Sequence, residues 1–323
     1  MISINYIAWL GFITFILIML IIDLTVFHKE LHAVKLKEAI IWTITWIILA
    51  LLFNIGIYLW VDKIKAIEFF TAYLIEKSLS VDNLFVFLML FSYFNINPKY
   101  QHEILFWGII GAIIMRAIFI FAGIALINSF NWIIYVFGLF LIYTGFKMYF
   151  KKEQTPHPEK NPIIKLLKKI FPVTEDIANG KFFIKKNKKL FITPLFITLI
   201  VIEFSDLIFA VDSIPAVLAI SKDPFIVFTS NVFAILGLRA LYFTIAGIMK
   251  YFHYLKYGLS IILVYIGIKM IINEIQPEFI NNIISLFIVI TIIICSIIIS
   301  IIFPNKNNKP SVLQQTNDNV NKF

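Results

Sequence analysis

The stretch VIEFSDLIFAVDSIPAVLAI, residues 201–220, puts Glu203, Asp206 and Asp212 into a run that is otherwise apolar and as long as a membrane-crossing helix. An ionised carboxylate at the centre of such a helix costs about 2.5 to 3.5 kcal/mol on insertion scales, so three in one helix need partners or a task. The rest of the chain has the composition this reading requires. Of its 323 residues 60% are hydrophobic and 15% charged, against about 25% charged in soluble domains, and the mean hydropathy is +0.91. Long runs such as IVITIIICSIIISIIF supply surface suited to lipid, so the lipid bilayer is the first partner implied.

Apolar stretches at about 5–27, 39–60, 69–94, 103–127, 131–149, 190–220, 225–249, 257–273 and 280–303 each approach spanning length, which predicts an all-α polytopic protein with nine transmembrane helices. The membrane domain then covers 1–303, and the Asn-, Gln- and Lys-rich residues 304–323 read as a disordered cytoplasmic tail. No Lys or Arg precedes the first stretch, so it reads as a retained span and not as a cleaved signal. Trp42, Trp46 and Trp60 read as interfacial or lipid-facing.

The one long polar segment, residues 150–189, carries eleven Lys and is expected to be a cytoplasmic loop. Nine spans then put the amino terminus outside and the carboxyl terminus in the cytoplasm, with 20 Lys in cytoplasmic segments against Lys63, Lys65 and Lys222 outside. The net charge of +9 therefore answers to topology. Nucleic acid is excluded as a partner, because no aromatics are interleaved with the basic residues at a stacking spacing. The same loop is a surface on which membrane or secretion partners can dock.

The acidic stretch has a counterpart earlier in the chain. SVDNLF at 80–85 matches FSDLIF at 204–209, IMRAIFIFAG at 114–123 matches GLRALYFTIAG at 237–247, and YTGFKM at 143–148 matches YIGIKM at 265–270. Asn83 stands 33 residues before Arg116, and Asp206 stands 33 before Arg239. Two three-helix units, at about 69–149 and 190–273, follow from this order. Three is odd, so successive units cross the membrane in opposite senses, the inverted-repeat plan of many secondary transporters, whose sites lie near the midplane between the repeats.

The first helix of each unit is the acidic one, with Glu76, Asp82 and Asn83 in the first and Glu203, Asp206 and Asp212 in the second. Glu203 and Asp206 share a helix face, whereas Asp212 points to the other side of a straight helix. Pro215 cannot donate to the Val211 carbonyl, which predicts a break around Asp212 and Ser213 that frees a carbonyl beside a carboxylate. Carboxylates, the Asn83 amide and the hydroxyls of Ser80, Ser205 and Ser213 are hard oxygen donors, suited to Mn2+, Mg2+ or Ca2+ more than to Zn2+ or Cu+. Asp23 adds a sixth intramembrane carboxylate. Arg116 and Arg239 are the mid-span cations that balance part of this charge. The five histidines, His28, His32, His102, His157 and His253, fall at loops and span ends. A lone cysteine, Cys295, allows no disulfide, CxxC pair or thiolate metal site within one chain. No nucleophile and base pair is evident, so an enzyme is not expected.

EKSLSVDNLFVF at 76–87, EFSDLIFAVDSIPAVLAI at 203–220 and LIIDLTVFHK at 20–29 resemble the signature segments of the TerC family, specifically its Alx-like branch, over about residues 1–303. The resemblance carries Asp82, Asn83, Asp206 and Asp212 over as the metal-site positions. Glu76, Ser80, Glu203, Ser205, Ser213 and Asp23 are supporting ligands or proton carriers. It implies a multi-pass protein of the bacterial inner membrane linked to manganese export, metal supply to exported enzymes, alkaline-pH response or tellurite resistance, with Alx also called a redox modulator. Tellurite itself is an oxyanion that an acidic site repels. The function expected is divalent-cation transport, most of all Mn2+ export, with the ion as substrate and no cofactor bound permanently. The alternative is a non-transporting membrane partner of redox, stress or secretion machinery.

Overall fold

The structure, a computed structural model, describes residues 6–27, 36–94, 96–130, 132–150, 162–174, 180–186, 189–248, 254–276 and 279–302. Apart from one small hairpin it is helical. The helices are α1 (Tyr6–Phe27), α2 (Leu36–Trp60), α3 (Lys63–Tyr93), α4 (Pro98–Ser129), α5 (Ile133–Phe150), α6 (Pro162–Ile170), α7 (Pro194–Leu218), α8 (Pro224–Leu236), α9 (Leu238–Ile248), α10 (Leu255–Ile275) and α11 (Asn282–Ile302).

Helices apolar on every side carry little periodicity, so their starts are marked by caps. Asp62 accepts from the Ile64 and Lys65 amides at the start of α3. Asp223 does the same for Phe225 and Ile226 at the start of α8. Pro98, Pro194 and Pro224 each take a first helical position, where the missing N–H has no intrahelical partner to lose.

Six described helices, α2, α4, α5, α7, α10 and α11, are each long and apolar enough to cross a bilayer, and α8 with α9 makes a seventh if the bent pair is one span. Only Tyr6–Ile22 of α1 qualifies, as a shorter apolar helix. The nine expected spans are thus six or seven on length and apolarity alone.

The two groups of three helices embrace reciprocally. The first helix of one packs on the second of the other, α3 on α8 and α7 on α4, and the third helices α5 and α10 pack together. Glycine permits that last approach. A Cβ on Gly267 would lie 2.6 Å from the Gly138 carbonyl oxygen, and one on Gly138 would lie 3.0 Å from that of Gly267. α2 lies against α3 and α9, and α11 against α3 and α10.

One end of the bundle is tied by a polar network. Glu68 accepts from Ser221 Oγ at 2.6 Å, Lys65 Nζ at 3.0 Å and Asn282 Nδ2 at 3.3 Å. Lys269 Nζ donates to Asn282 Oδ1 at 2.7 Å. The start of α3, the turn after α7, α10 and the start of α11 are thereby joined.

The expected break at Pro215 is not there. α7 is continuous from Pro194 to Leu218, because Pro215 lies in its last turn and removes a single hydrogen bond. The break falls instead in the next span, at Gly237, where α8 and α9 meet at 41°. Lys77 reaches this break and donates to the Ala234 carbonyl at 3.2 Å, one of the last four carbonyls of α8, which lack the usual partner within the helix. Trp46, expected to be interfacial or lipid-facing, is 4% exposed and packs beside Gly237.

The described residues of the basic segment 150–189 include regular elements. It holds α6 and an antiparallel hairpin of β1 (Phe183–Lys186) and β2 (Lys189–Ile192), with Phe183 opposite Ile192. The tail 304–323 lies outside the described residues.

Candidate cation site

Glu76 and Asn83 are seven residues apart on α3 and so share a face. That face meets α7 at Asp206, the midpoint of Pro194–Leu218. Asn83 Nδ2 donates to Asp206 Oδ1 at 2.9 Å. From α4, Arg116 extends its guanidinium into the same place: Nη1 binds Glu76 Oε1, Nη2 lies 3.5 Å from Asp206 Oδ1, and Nη1 also donates to Asn231 Oδ1 at 2.8 Å and to Ser213 Oγ at 3.4 Å. All six residues are buried, Glu76 at 0% exposed, Asn231 at 0% and Arg116 at 2%.

The cluster is short of donors. Glu76 Oε2, Asn83 Oδ1 and Asp206 Oδ2 are buried and have no hydrogen-bond partner among the described residues. Glu203 Oε2, one turn from Asp206 on α7, is a fourth such oxygen. A buried acceptor left bare costs about 1 to 3 kcal/mol, more if charged, so four together form an arrangement that water, protons or a cation could satisfy. Two carboxylates face one guanidinium in the centre, which leaves one negative charge over before Glu203 is counted.

Glu203 occupies a slot made by glycine. A Cβ at Gly111 would overlap its carboxylate, and one at Gly108 would stand 3.8 Å from Oε1. Beside it Glu203, Asp206 and Arg239 line a cavity of about 10 Å3, about the least room that a single water needs. The wall is completed by apolar side chains of α3, α4 and α7 such as Phe87, Leu105 and Ile202. Arg239 Nη1 lies 3.4 Å from His102 Nδ1. His102, expected at a solvated span end, is 9% exposed.

Asp212 is not part of the cluster. It accepts from Thr144 Oγ1 of α5 at 3.2 Å. Six residues beyond Asp206, it points away on a straight helix, and the break that was to turn it back is absent. Ser80 and Ser205 donate to carbonyls of their own helices, Glu76 and Val201, at 2.8 and 2.7 Å. The side chains of Asp82 and Asp23 lie outside the described residues. Among the described residues no three His, Cys, Asp or Glu side chains converge as a ready metal centre. The convergence is of two carboxylates, two amides and a hydroxyl around an arginine.

Asn231 was not singled out in the sequence, although an amide inside PFIVFTSNVFAIL, a run of 13 helical residues without charge, was a signal there to be used. Its own Nδ2 donates to the Val227 carbonyl at 3.0 Å, which fixes the amide with Oδ1 towards Arg116. Thr144 carried no such signal, since a threonine in a spanning helix ordinarily bonds its own backbone.

The chain is similar to several bacterial membrane proteins. It is 46% identical over 297 residues to an uncharacterized membrane protein of Myxococcus xanthus, covering 91% of this chain and 92% of that one. A protein of Salmonella typhi with the provisional name membrane-bound redox modulator Alx is 49% identical over 275 residues, covering 82% and 85%. Its namesake in Escherichia coli strain K12 is 48% identical over 275 residues, covering 82% and 86%. No solved structure gives a significant match. The profile described as integral membrane protein TerC family matches residues 61–308, the segment that contains α3 to α11 and every residue of the cluster. The chain, a multi-pass integral membrane protein, belongs to the TerC family.

Proposed function

We propose that this protein moves a divalent metal cation, Mn2+ foremost, out across the bacterial inner membrane. The observation that carries this reading is the set of four buried oxygens on Glu76, Asn83, Asp206 and Glu203 that have no hydrogen-bond partner among the described residues, along the middle of helices α3 and α7 from the two halves of the chain. Hard anionic and amide oxygens with no thiolate or imidazole among them suit Mn2+, Mg2+ or Ca2+. The cation is substrate: it must bind well enough to enter and weakly enough to leave, which a site already half-neutralised by arginine provides.

Alternating access of two inverted three-helix repeats is the motion this reading uses. The matched motifs and the reciprocal contacts α3 with α8, α4 with α7 and α5 with α10 support it. The same plan counts α1 and α3 as spans, for nine in all, with the amino terminus outside and the hairpin-bearing basic segment in the cytoplasm.

The name of the Salmonella typhi and Escherichia coli relatives supports a second reading, a redox modulator. In this chain that role runs through metal balance, because the sequence holds a single cysteine and the cluster holds no redox-active side chain. The test is ion flux into liposomes containing the purified full chain, with Mn2+, Mg2+, Ca2+ and Zn2+ compared. Saturable Mn2+ flux supports transport. Flux no greater than in protein-free liposomes for every metal sinks it.

A further inference from the structure

The geometry points to Arg116 as a built-in counter-cation that the transported ion displaces, with Asn231 as the acceptor that holds the guanidinium once it has moved. The inference rests on reading the cluster as a cation site. Arg116 takes one oxygen of each carboxylate, Glu76 Oε1 and Asp206 Oδ1, and leaves the other of each bare. An ion can therefore approach through Glu76 Oε2 and Asp206 Oδ2 while the guanidinium still holds the far side.

The two cations cannot share the carboxylates for long. Arginine keeps its proton under physiological conditions, and a divalent ion beside it in a site of low effective dielectric is strongly repelled. The guanidinium is also only loosely committed. Its Nε has no acceptor among the described residues, and its Nη1 is divided between Glu76 and the neutral acceptors Asn231 Oδ1 and Ser213 Oγ on two other helices. An arginine that served only to clamp helices would use all its donors. Asn231, pinned by its bond to Val227, stands ready as the alternative partner.

The exchange gives the site its release step. Carboxylates with no competitor would hold a divalent ion too tightly to turn over, and the returning guanidinium expels it. Arg116 thus lowers affinity and raises turnover.

The experiment compares the native chain with R116Q, N231L and the double variant. Mn2+ affinity is read from the rise of thermal unfolding temperature with Mn2+ in detergent, and turnover from liposome flux. R116Q is expected to bind Mn2+ at least about tenfold tighter, since a competing unit charge within a few ångströms is gone, and to lose flux. N231L is expected to bind about tenfold weaker, with the guanidinium left on the carboxylates, and the double variant to bind like R116Q. An equal weakening by N231L in both backgrounds would make Asn231 a ligand and overturn the inference. R116Q binding no tighter than the native chain overturns it too. Accumulation of R116Q only in the presence of Mn2+ means that the ion replaces the guanidinium and upholds it. Failure to accumulate with or without Mn2+, with R116K binding as the native chain does, overturns it. If the native chain neither binds nor moves Mn2+, the transport reading falls first and this one with it.

Discussion

Asn83 and Asp206 are hydrogen-bonded to one another at 2.9 Å, and they stand at the same distance, 33 residues, before Arg116 and Arg239 in the two halves of the sequence. In units related by a two-fold axis, a residue meets its own counterpart near the axis. On the proposed inverted-repeat plan the bond lies where the repeats join, and the difference between the two residues is what permits it. Two carboxylates there would repel unless one were protonated, whereas an amide donates to its neighbour and keeps one oxygen free.

From this follows a paired substitution. Asp206→Asn leaves two amides at the junction, removes a carboxylate from Arg116 and from the ion, and is expected to cut Mn2+ flux by about 100-fold or more while the protein still accumulates. Exchanging the two, Asn83→Asp with Asp206→Asn, restores the charge and should recover part of the flux in the liposome assay. A double variant as inactive as the single one would show that the junction is not interchangeable across the axis.

Gly111→Ala is expected to be destabilising by about 1 kcal/mol, because the new methyl group overlaps the Glu203 carboxylate and that flexible, partly exposed side chain must swing out of its seat. The same change in a Glu203→Ala background should cost little, since the overlapping group is gone. The check is a four-member cycle of unfolding midpoints in detergent. An equal cost in both backgrounds would mean that Gly111 serves helix packing and not the seating of Glu203.

The membrane class, the acidic helices and the pairing of the two halves were legible because each writes a strong one-dimensional signal. A carboxylate in an apolar run is conspicuous, and a repeated order of Asn or Asp, Arg and Lys is readable without coordinates. What stayed hidden depended on where chains meet. Pro215 looked like a break only because nothing in the sequence placed it in the last turn of α7, and that reading joined the family resemblance in drawing Asp212 into the site. Nothing in the sequence marked Gly237 as the break, since the donor that satisfies the broken helix, Lys77, stands 157 positions away from its acceptor. Asn231 was passed over because it has no acidic neighbour, yet it touches the one cation at the centre of the cluster.

Glu68 offers the test of which end of the bundle is sealed. It is 8% exposed and lies where α3 begins, on the far side of Asp206 from the cavity that Glu203 lines. Its partners come from the turn after α7 and from the start of α11, so any widening at this end must break them. Lys65 is about a third exposed, and its pair with Glu68 contributes only about 0 to 1 kcal/mol. The bonds from Ser221 and Asn282 contribute about 0.5 to 1.5 kcal/mol each, so Glu68→Ala should cost about 2 kcal/mol in detergent unfolding and Glu68→Gln less. The sharper readout is access. Thr71, one turn further along α3, is 0% exposed, and a Thr71→Cys probe with Cys295 replaced by Ser should be nearly inert to a membrane-impermeant maleimide. A loss of about 2 kcal/mol at the seal raises the open population roughly 30-fold, and labelling of the probe should rise with it when Glu68→Ala is added. Lowered stability with unchanged labelling would assign the network to holding helices together and leave the seal to the apolar side chains around it.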